Sequence, residues 1–439
     1  MGKIIDSLAV LGSSKFVTTT NAILNEIFYG LRPKKVYILS EYKHEEGFKE
    51  KIKKSLDMLN LGADVIEKVI GESPEEWEKG IKNERFDVID VTPARKYMAI
   101  ITAMVEKTEI RYALLKKEIE GYRTFGYVSP KELELWTLSP KLGIIKDIDP
   151  PEVNTEQEVS FLSPIGLESL LNLLALFGKV YIYPLNSNKV IDYSPVWEDV
   201  DIGNKDEIIK ATKDEVFKLC AMRSGMILPD ELEQLKIRAE DANLCFDTNI
   251  FINYGETIFE LLGDKVRYSS IPLYSVYNEL SQYIENYQKS GRSDKNTINK
   301  LLGSISFNNI YPKLANLGKE RAGDINIIKE AKELKINALN PLLVTMDLSL
   351  NGRAGLQKIN SFAISNRGKY NLAKGILGKI LSCLSFYSDI SIRINDEDVY
   401  KIINYNRNWD QLVNGTAKLQ SKIRRFNYAP LISLLENNM

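Results

Sequence analysis

Apolar and polar positions along the first 150 residues alternate between two periods. The apolar run Leu8-Ala9-Val10-Leu11 predicts a strand. A segment with Ile23, Leu24, Ile27 and Phe28 at helical spacing follows it. The next strand is predicted at KKVYILSE and the next helix at EEGFKEKIKKSLDMLN. ADVIEKVIG, EEWEKGIKNE, FDVIDVT, RKYMAIITAMV and IRYALLK continue the alternation as strand, helix, strand, helix and strand. Strands alternating with helices of about 10–15 residues predict a parallel sheet covered by helices on both faces.

The pattern breaks at KDIDPPEVNTEQE, where Pro150 and Pro151 sit among polar and acidic residues, the composition of a linker. Residues 151–239 are expected to form a mostly helical connecting region, with a strand at KVYIYPL and a loop at YSPVWEDVDIGNKDE. No chemistry is assigned to it. The alternation resumes near residue 240, with strands NLCFD and PLLVTMD and helices at SVYNELSQYIENY and GDINIIKEAKEL. A last strand is expected near residue 390, and residues 396–439 read as a basic helical extension. The fold class predicted is α/β in both halves: a Rossmann-like domain with a parallel sheet over 1–150 and a second α/β domain over 240–395.

Composition narrows the chemistry. The three cysteines, Cys220, Cys245 and Cys383, exclude a disulfide framework and paired-cysteine zinc sites. With His44 the single histidine, a Ser-His-Asp or Cys-His site elsewhere is excluded. Formal net charge is −1, yet residues 351–439 hold 13 Lys and Arg against 6 Asp and Glu. That basic end suits a polyanion, and Lys422, Arg424 and Arg425 beside Phe426 and Tyr428 are candidate RNA contacts. No signal peptide or membrane span is visible, so a cytoplasmic location is expected.

Four carboxylates stand at informative places. Asp247 closes the run Leu244-Cys245-Phe246, and Asp347 follows Leu342-Leu343-Val344. Ligands bind outside the carboxyl ends of parallel strands, so both would face one crevice. Glu279 lies on a helix with Val276 and Leu280 inward, and Asp324 opens a helix after Gly323. A single strand-end aspartate usually caps a helix. Four gathered carboxylates repel one another unless a hard divalent cation, Mg²⁺ or Mn²⁺, joins them. Such a site can activate water for phosphodiester hydrolysis.

The ordered set resembles the PIN nuclease domains: Asp247 with Thr248 and Asn249, then Glu279, Asp324, and Asp347 in the triplet Thr345-Met346-Asp347. The resemblance implies a metal-dependent endoribonuclease. Asp247, Glu279, Asp324 and Asp347 would be its catalytic and metal-binding residues, with Thr248, Asn249 and Thr345 orienting them.

In the N-terminal half, Gly12-Ser13-Ser14 follows the first strand, and Asp90, Thr92, Arg95 and Lys96 follow the fourth. Small and hydroxyl residues at a strand-to-helix turn expose backbone N–H groups to an anion. There is no GxGxxG fingerprint. These loops resemble the CARF family, the CRISPR-associated Rossmann-fold sensors. Pro93 and Ala94 stand where relatives usually carry glycine. The resemblance implies a homodimer that binds one cyclic oligoadenylate through Gly12, Ser13, Ser14, Thr92, Arg95 and Lys96. It implies that the messenger switches on RNA cleavage in type III CRISPR antiviral defence. The rival expectations are a ring nuclease that degrades the messenger in the sensor pocket and a non-enzymatic ligand-binding regulator.

Overall fold

Period-two alternation in the N-terminal strands decides which side chains face which layer of helices. The computed structural model describes residues 2–105, 108–115, 123–153, 155–184, 191–193, 210–290, 294–312, 323–337, 339–371, 373–404 and 415–438, the side chains of 283–290 excepted. Two compact units result, Met1–Asn204 with Asp389–Ile403 and Thr416–Met439, and Lys205–Ser388 with Asn404–Gly415.

The first unit holds a seven-stranded sheet in the order β3-β2-β1-β4-β5-β6-β7. Its strands are β1 (Lys3–Leu11), β2 (Leu31–Ser40), β3 (Asp64–Val69), β4 (Val88–Asp90), β5 (Glu109–Leu115), β6 (Leu133–Ser139) and β7 (Gly143–Ile145). The intervening helices are α1 (Phe16–Phe28), α2 (Phe48–Met58), α3 (Pro74–Lys82) and α4 (Lys96–Val105). Strands β1 to β5 pair in parallel, as in a Rossmann-like α/β fold. The sheet expected to be parallel is mixed, because β6 and β7 run antiparallel at its edge.

Ala9, Leu11, Leu39, Ile89 and Ile110 form one face of the sheet and bury Trp77 and Ile81 of α3 and Met98 of α4. Leu8, Val10, Val36 and Ile38 alternate to the other face and are fully buried. Each such aliphatic side chain contributes about 1.5–3 kcal/mol by leaving water. The helix α3 starts at Ser73, whose hydroxyl accepts from the Glu76 amide while the Glu76 carboxylate accepts from the Ser73 amide, a capping box.

A second sheet in this unit corrects two expectations. Its order is Ile191–Tyr193, Val180–Pro184, Ile390–Ile394, Glu397–Ile403, Ala417–Ser421 and Val159–Leu162. The strand near residue 390 falls within the α/β domain expected over 240–395. It pairs instead with Val180–Pro184, and Ile390, Ile392 and Ile394 are buried in this sheet. The stretch 396–439 is not a helical extension: it supplies two strands, a 3₁₀ turn at Arg424–Phe426 and one short helix, Ala429–Glu436. Residues 405–414 of that stretch, and all of the expected loop at 193–207 except Tyr193, lie outside the described residues. The connecting region 151–239 is correspondingly mixed, since its first part gives strands to this sheet.

The second unit is built on three parallel strands, β8 (Asn243–Phe246), β9 (Pro341–Thr345) and β10 (Ser361–Ala363), in that order. Phe246 pairs with Val344 and Thr345 with Ala363, so the carboxyl ends of the strands lie level. Its main helices are α5 (Glu215–Arg223), α6 (Thr248–Asn253), α7 (Tyr274–Ser290), α8 (Lys295–Ile310), α9 (Asp324–Ile336), α10 (Leu348–Leu356) and α11 (Ile376–Leu384). Residues 291–293 lie outside the described residues, and Lys295–Thr297 open α8.

Two cysteines meet here against expectation. Cys220 of α5 and Cys383 of α11 form a disulfide, with Cα atoms 5.5 Å apart across 163 residues of sequence. Cys245 is free and buried. Among the described residues, no helix is long and apolar enough to cross a membrane.

Candidate functional site

In the second unit the carboxyl ends of β8 and β9 place Asp247 and Asp347 on either side of Thr345, and Thr248 links Asp247 to Glu279. Asp247 follows β8 and is 3% exposed. Its Oδ1 accepts from the Thr248 amide at 2.7 Å, and its Oδ2 accepts from Thr345 Oγ1 at 2.7 Å and Asn249 Nδ2 at 3.4 Å. Thr248 Oγ1 donates to Glu279 Oε2 at 3.0 Å. Thr345 Oγ1 also accepts from the Asp347 amide at 2.9 Å. Thr248, Asn249 and Thr345 each donate a side-chain hydrogen bond to one of the predicted carboxylates.

Burial pushes the Asp247 carboxyl up to about 6, and the charges of Glu279 and Asp324 push in the same direction. The hydrogen bonds from Thr345 and Thr248 oppose that rise. Asp347 caps α10 by accepting from the amides of Ser349 and Leu350 at 2.7 and 3.3 Å. Asp324 follows Gly323, whose φ of +109° suits glycine, and is ion-paired with Arg353, a residue the sequence did not single out. Among the described residues, no group of three or more His, Cys, Asp or Glu is close enough to hold a metal ion. In kind the donors fit a hard divalent cation: they are all carboxylates, and the innermost is crowded by two others. Arg353 supplies the compensating positive charge at Asp324.

A cleft of about 1320 Å³ opens beside Asp347 and Asn249 in the same unit. It is walled by α5, by the start of α8 and by the loop after β10. Sequence reading assigned nothing to α5.

In the first unit, β1 is flanked by β2 on one side and β4 on the other, so the chain winds both ways from the β1–β4 junction. Ligands bind at such switch points. A pocket of about 390 Å³ lies there, lined by Gly12, Ser13, Ser14 and Arg95 of the expected set. Gly12 is required by close approach: a Cβ would stand 2.8 Å from Ile38 Cγ2. The Ser13 amide donates to Thr19 Oγ1 at 2.9 Å, which shapes the loop.

Thr92 and Lys96 do not line the pocket. Thr92 Oγ1 accepts from the Ala113 amide at 2.8 Å, which ties β4 to β5, and Lys96 is an exposed residue at the start of α4. The loop after β2, residues 40–45, forms a wall that sequence reading missed. Glu41 pairs with Arg95 at 3.2 Å, and His44 bridges Glu67 at 2.7 Å and the Ser13 carbonyl at 3.0 Å while stacking on Phe48. The signal for this wall was available, because a polar EYKHEE stretch follows the strand next to β1.

In the same unit Glu26, Asp90 and Arg111 form a buried group. Arg111 Nη1 donates to Glu26 Oε2 at 2.7 Å. Glu26 Oε1 and Asp90 Oδ2 have no other partner, and a proton held on Glu26 and shared with Asp90 satisfies both. Burial, assisted by Asp90, pushes Glu26 up to about 8 against the pull of Arg111. Asp90 rises to about 6, chiefly by burial. A carboxyl raised in the folded state stabilises below its unfolded value and loses that contribution as pH rises through its folded value. The unfolding free energy of the first unit is expected to fall between pH 5 and 8, with Glu26 contributing a slope of at most about 1.4 kcal/mol per pH unit. Calorimetry of Glu26→Gln checks this: the variant should flatten the profile, and an unchanged slope contradicts the shared proton.

The predicted RNA contacts at the C-terminus belong to the first unit. Arg425 pairs with Glu397 at 2.8 Å and lies over the Phe426 ring. Phe426 and Tyr428 are buried, packed against Phe177. Lys422 and Arg424 stand on the same segment of the first unit. The aromatic rings are core, not stacking surfaces.

No protein-family model matches the chain, and no curated protein matches it.

Proposed function

We propose that the second unit is a metal-dependent endoribonuclease and the first a sensor of cyclic oligoadenylate that controls it. One observation carries the nuclease reading. Thr345 Oγ1 donates to Asp247 Oδ2 at 2.7 Å, joining two motifs 98 residues apart at the ends of neighbouring parallel strands. Glu279 and Asp324 press their charge on the same buried carboxyl. Asp247, Glu279, Asp347 and, on release from Arg353, Asp324 would hold Mg²⁺ or Mn²⁺. The bound ion would activate water and neutralise charge on the scissile phosphate. The protein's own contribution is positional. Thr345 and Thr248 fix the orientation of Asp247 and Glu279, and burial of Asp247 keeps competing water away.

The sensor reading is supported by the switch-point pocket and its hydroxyl loop, with Arg95 at the rim. Ile100 and Met104 on α4 are 58% and 80% exposed, an apolar pair one turn apart that suits the homodimer of the proposal. The role in type III CRISPR defence follows from this pairing of sensor and nuclease and is part of the same proposal.

Cleavage of labelled RNA in Mg²⁺ and Mn²⁺, with and without cyclic oligoadenylates, tests the whole reading. Stimulated cleavage supports it. Consumption of the messenger with no RNA cut would favour the ring-nuclease alternative, and neither activity would favour a non-enzymatic regulator. Within the sensor, Arg95→Ala is expected to weaken messenger binding by about 1.5–3 kcal/mol, the scale of a hydrogen bond to a charged group. Lys96→Ala should change it little, since that side chain is outside the pocket lining. Calorimetric titration distinguishes the two, and equal affinities for wild type and Arg95→Ala would move the pocket elsewhere.

A further inference from the structure

The cleft beside the carboxylates has polar features that the proposed catalysis does not use. Lys218 of α5, Asn296 of α8, and Asn366 and Arg367 after β10 line it. Among the described residues their side chains make no hydrogen bond or ion pair. Asn299 accepts from the Tyr387 hydroxyl at 2.6 Å, which leaves its amide N–H groups for the cleft. The carboxylates in the lining are all occupied. Glu215 is paired with Lys295, Glu231 accepts from the amide and hydroxyl of Ser365 at 3.1 Å, and Asp294 and Asp347 cap α8 and α10. The free groups are thus two cations and several carboxamides.

We propose that this cleft is the groove for a single strand of RNA, with Lys218 and Arg367 on its phosphates and Asn296, Asn299 and Asn366 on base edges. The assignment rests on the nuclease reading above. Lys and Arg neutralise phosphates without regard to sequence. Carboxamides donate and accept at once, which matches the edges of bases, but those edges are accessible only when unpaired. The volume exceeds the roughly 300–1,000 Å³ of small-molecule sites and suits a length of chain. Direction comes from Asn249 and Asp347, which line the cleft and also belong to the carboxylate site, so a strand lying in the groove reaches the buried Asp247. The helix α5, expected to be a featureless connector, becomes one bank of the groove.

Fluorescence anisotropy tests this on the full chain with a fluorescein-labelled single-stranded oligoribonucleotide, in EDTA so that binding is read without cleavage. The Lys218→Ala/Arg367→Ala protein should bind at least about tenfold more weakly. Its salt dependence should be shallower by about 1.4, the slope of two phosphate contacts on a single strand. The same strand in a duplex should bind wild type at least tenfold more weakly. Unchanged affinity of the folded double variant, or a duplex bound as tightly as the single strand, overturns the groove. If that variant does not fold, Asn296→Asp/Asn366→Asp replaces it, because both positions are exposed and the added charge must weaken binding. The two readings fail separately. Wild type that cuts RNA while the variant binds normally refutes the groove alone. Wild type whose binding depends on the groove but that cuts nothing in Mg²⁺ or Mn²⁺ refutes the nuclease.

Discussion

Replacing Asp247 with asparagine is expected to abolish metal-dependent RNA cleavage, by at least about a hundredfold, and to leave the second unit folded. The two halves of this expectation have different causes. An asparagine keeps the size and the acceptor that the Thr248 amide needs, and the Thr345 hydroxyl can rotate to accept from the new amide. It also removes a buried charge that Glu279 and Asp324 oppose, so folding should not suffer. It cannot serve as an anionic ligand to a hard cation. Initial rates on labelled RNA in matched Mg²⁺ or Mn²⁺, beside thermal melts of both proteins, decide the matter. Cleavage near the wild-type rate would remove Asp247 from the site and with it the nuclease proposal.

Opening the Cys220–Cys383 disulfide is expected to lower the stability of the second unit by about 2–5 kcal/mol. The bond ties α5 to α11 and closes a loop of 163 residues, a long constraint on the unfolded chain. Both cysteines are buried, so removing the bond also disturbs packing at 0% and 8% exposed positions. Guanidinium unfolding of wild type, with and without reductant, and of Cys220→Ser/Cys383→Ser measures the effect. Reductant should shift the wild type and not the double variant. A midpoint that moves in neither case would mean that the bond carries no stability.

The elements of the first 115 residues were legible because each rests on a local rule. The runs around Val10, Ile38 and Ile89 are short and bounded by turn residues, and α1 and α3 carry apolar residues at helical spacing. The hairpin of β6 and β7 was not legible: Leu133–Ser139 and Gly143–Ile145 are brief, and their pairing to β5 is a choice among partners. Residues 396–439 misled because lysines, arginines and asparagines conceal a period of two in Tyr400 and Ile402 and in Ala417 and Leu419, each buried in a sheet.

The candidate sites divide in the same way. Asp247, Thr345 and Asp347 stand at strand ends, and the rule that parallel strands present their carboxyl ends together located them. Arg353 opposite Asp324, the 40–45 wall of the pocket and Lys218 over the cleft depend on helices and loops far apart in sequence.

By itself the sequence determined the α/β alternation at the N-terminus, the parallel strands ending in Asp247 and before Asp347, and the hydroxyl loop at Gly12, since backbone period and burial act over a few residues. Only the tertiary structure decided that the chain returns from Asp389 to the first unit, that Cys220 meets Cys383, and that α5 borders the carboxylates. Those outcomes depend on which buried surfaces close against one another across a hundred residues or more, and no local periodicity encodes that choice.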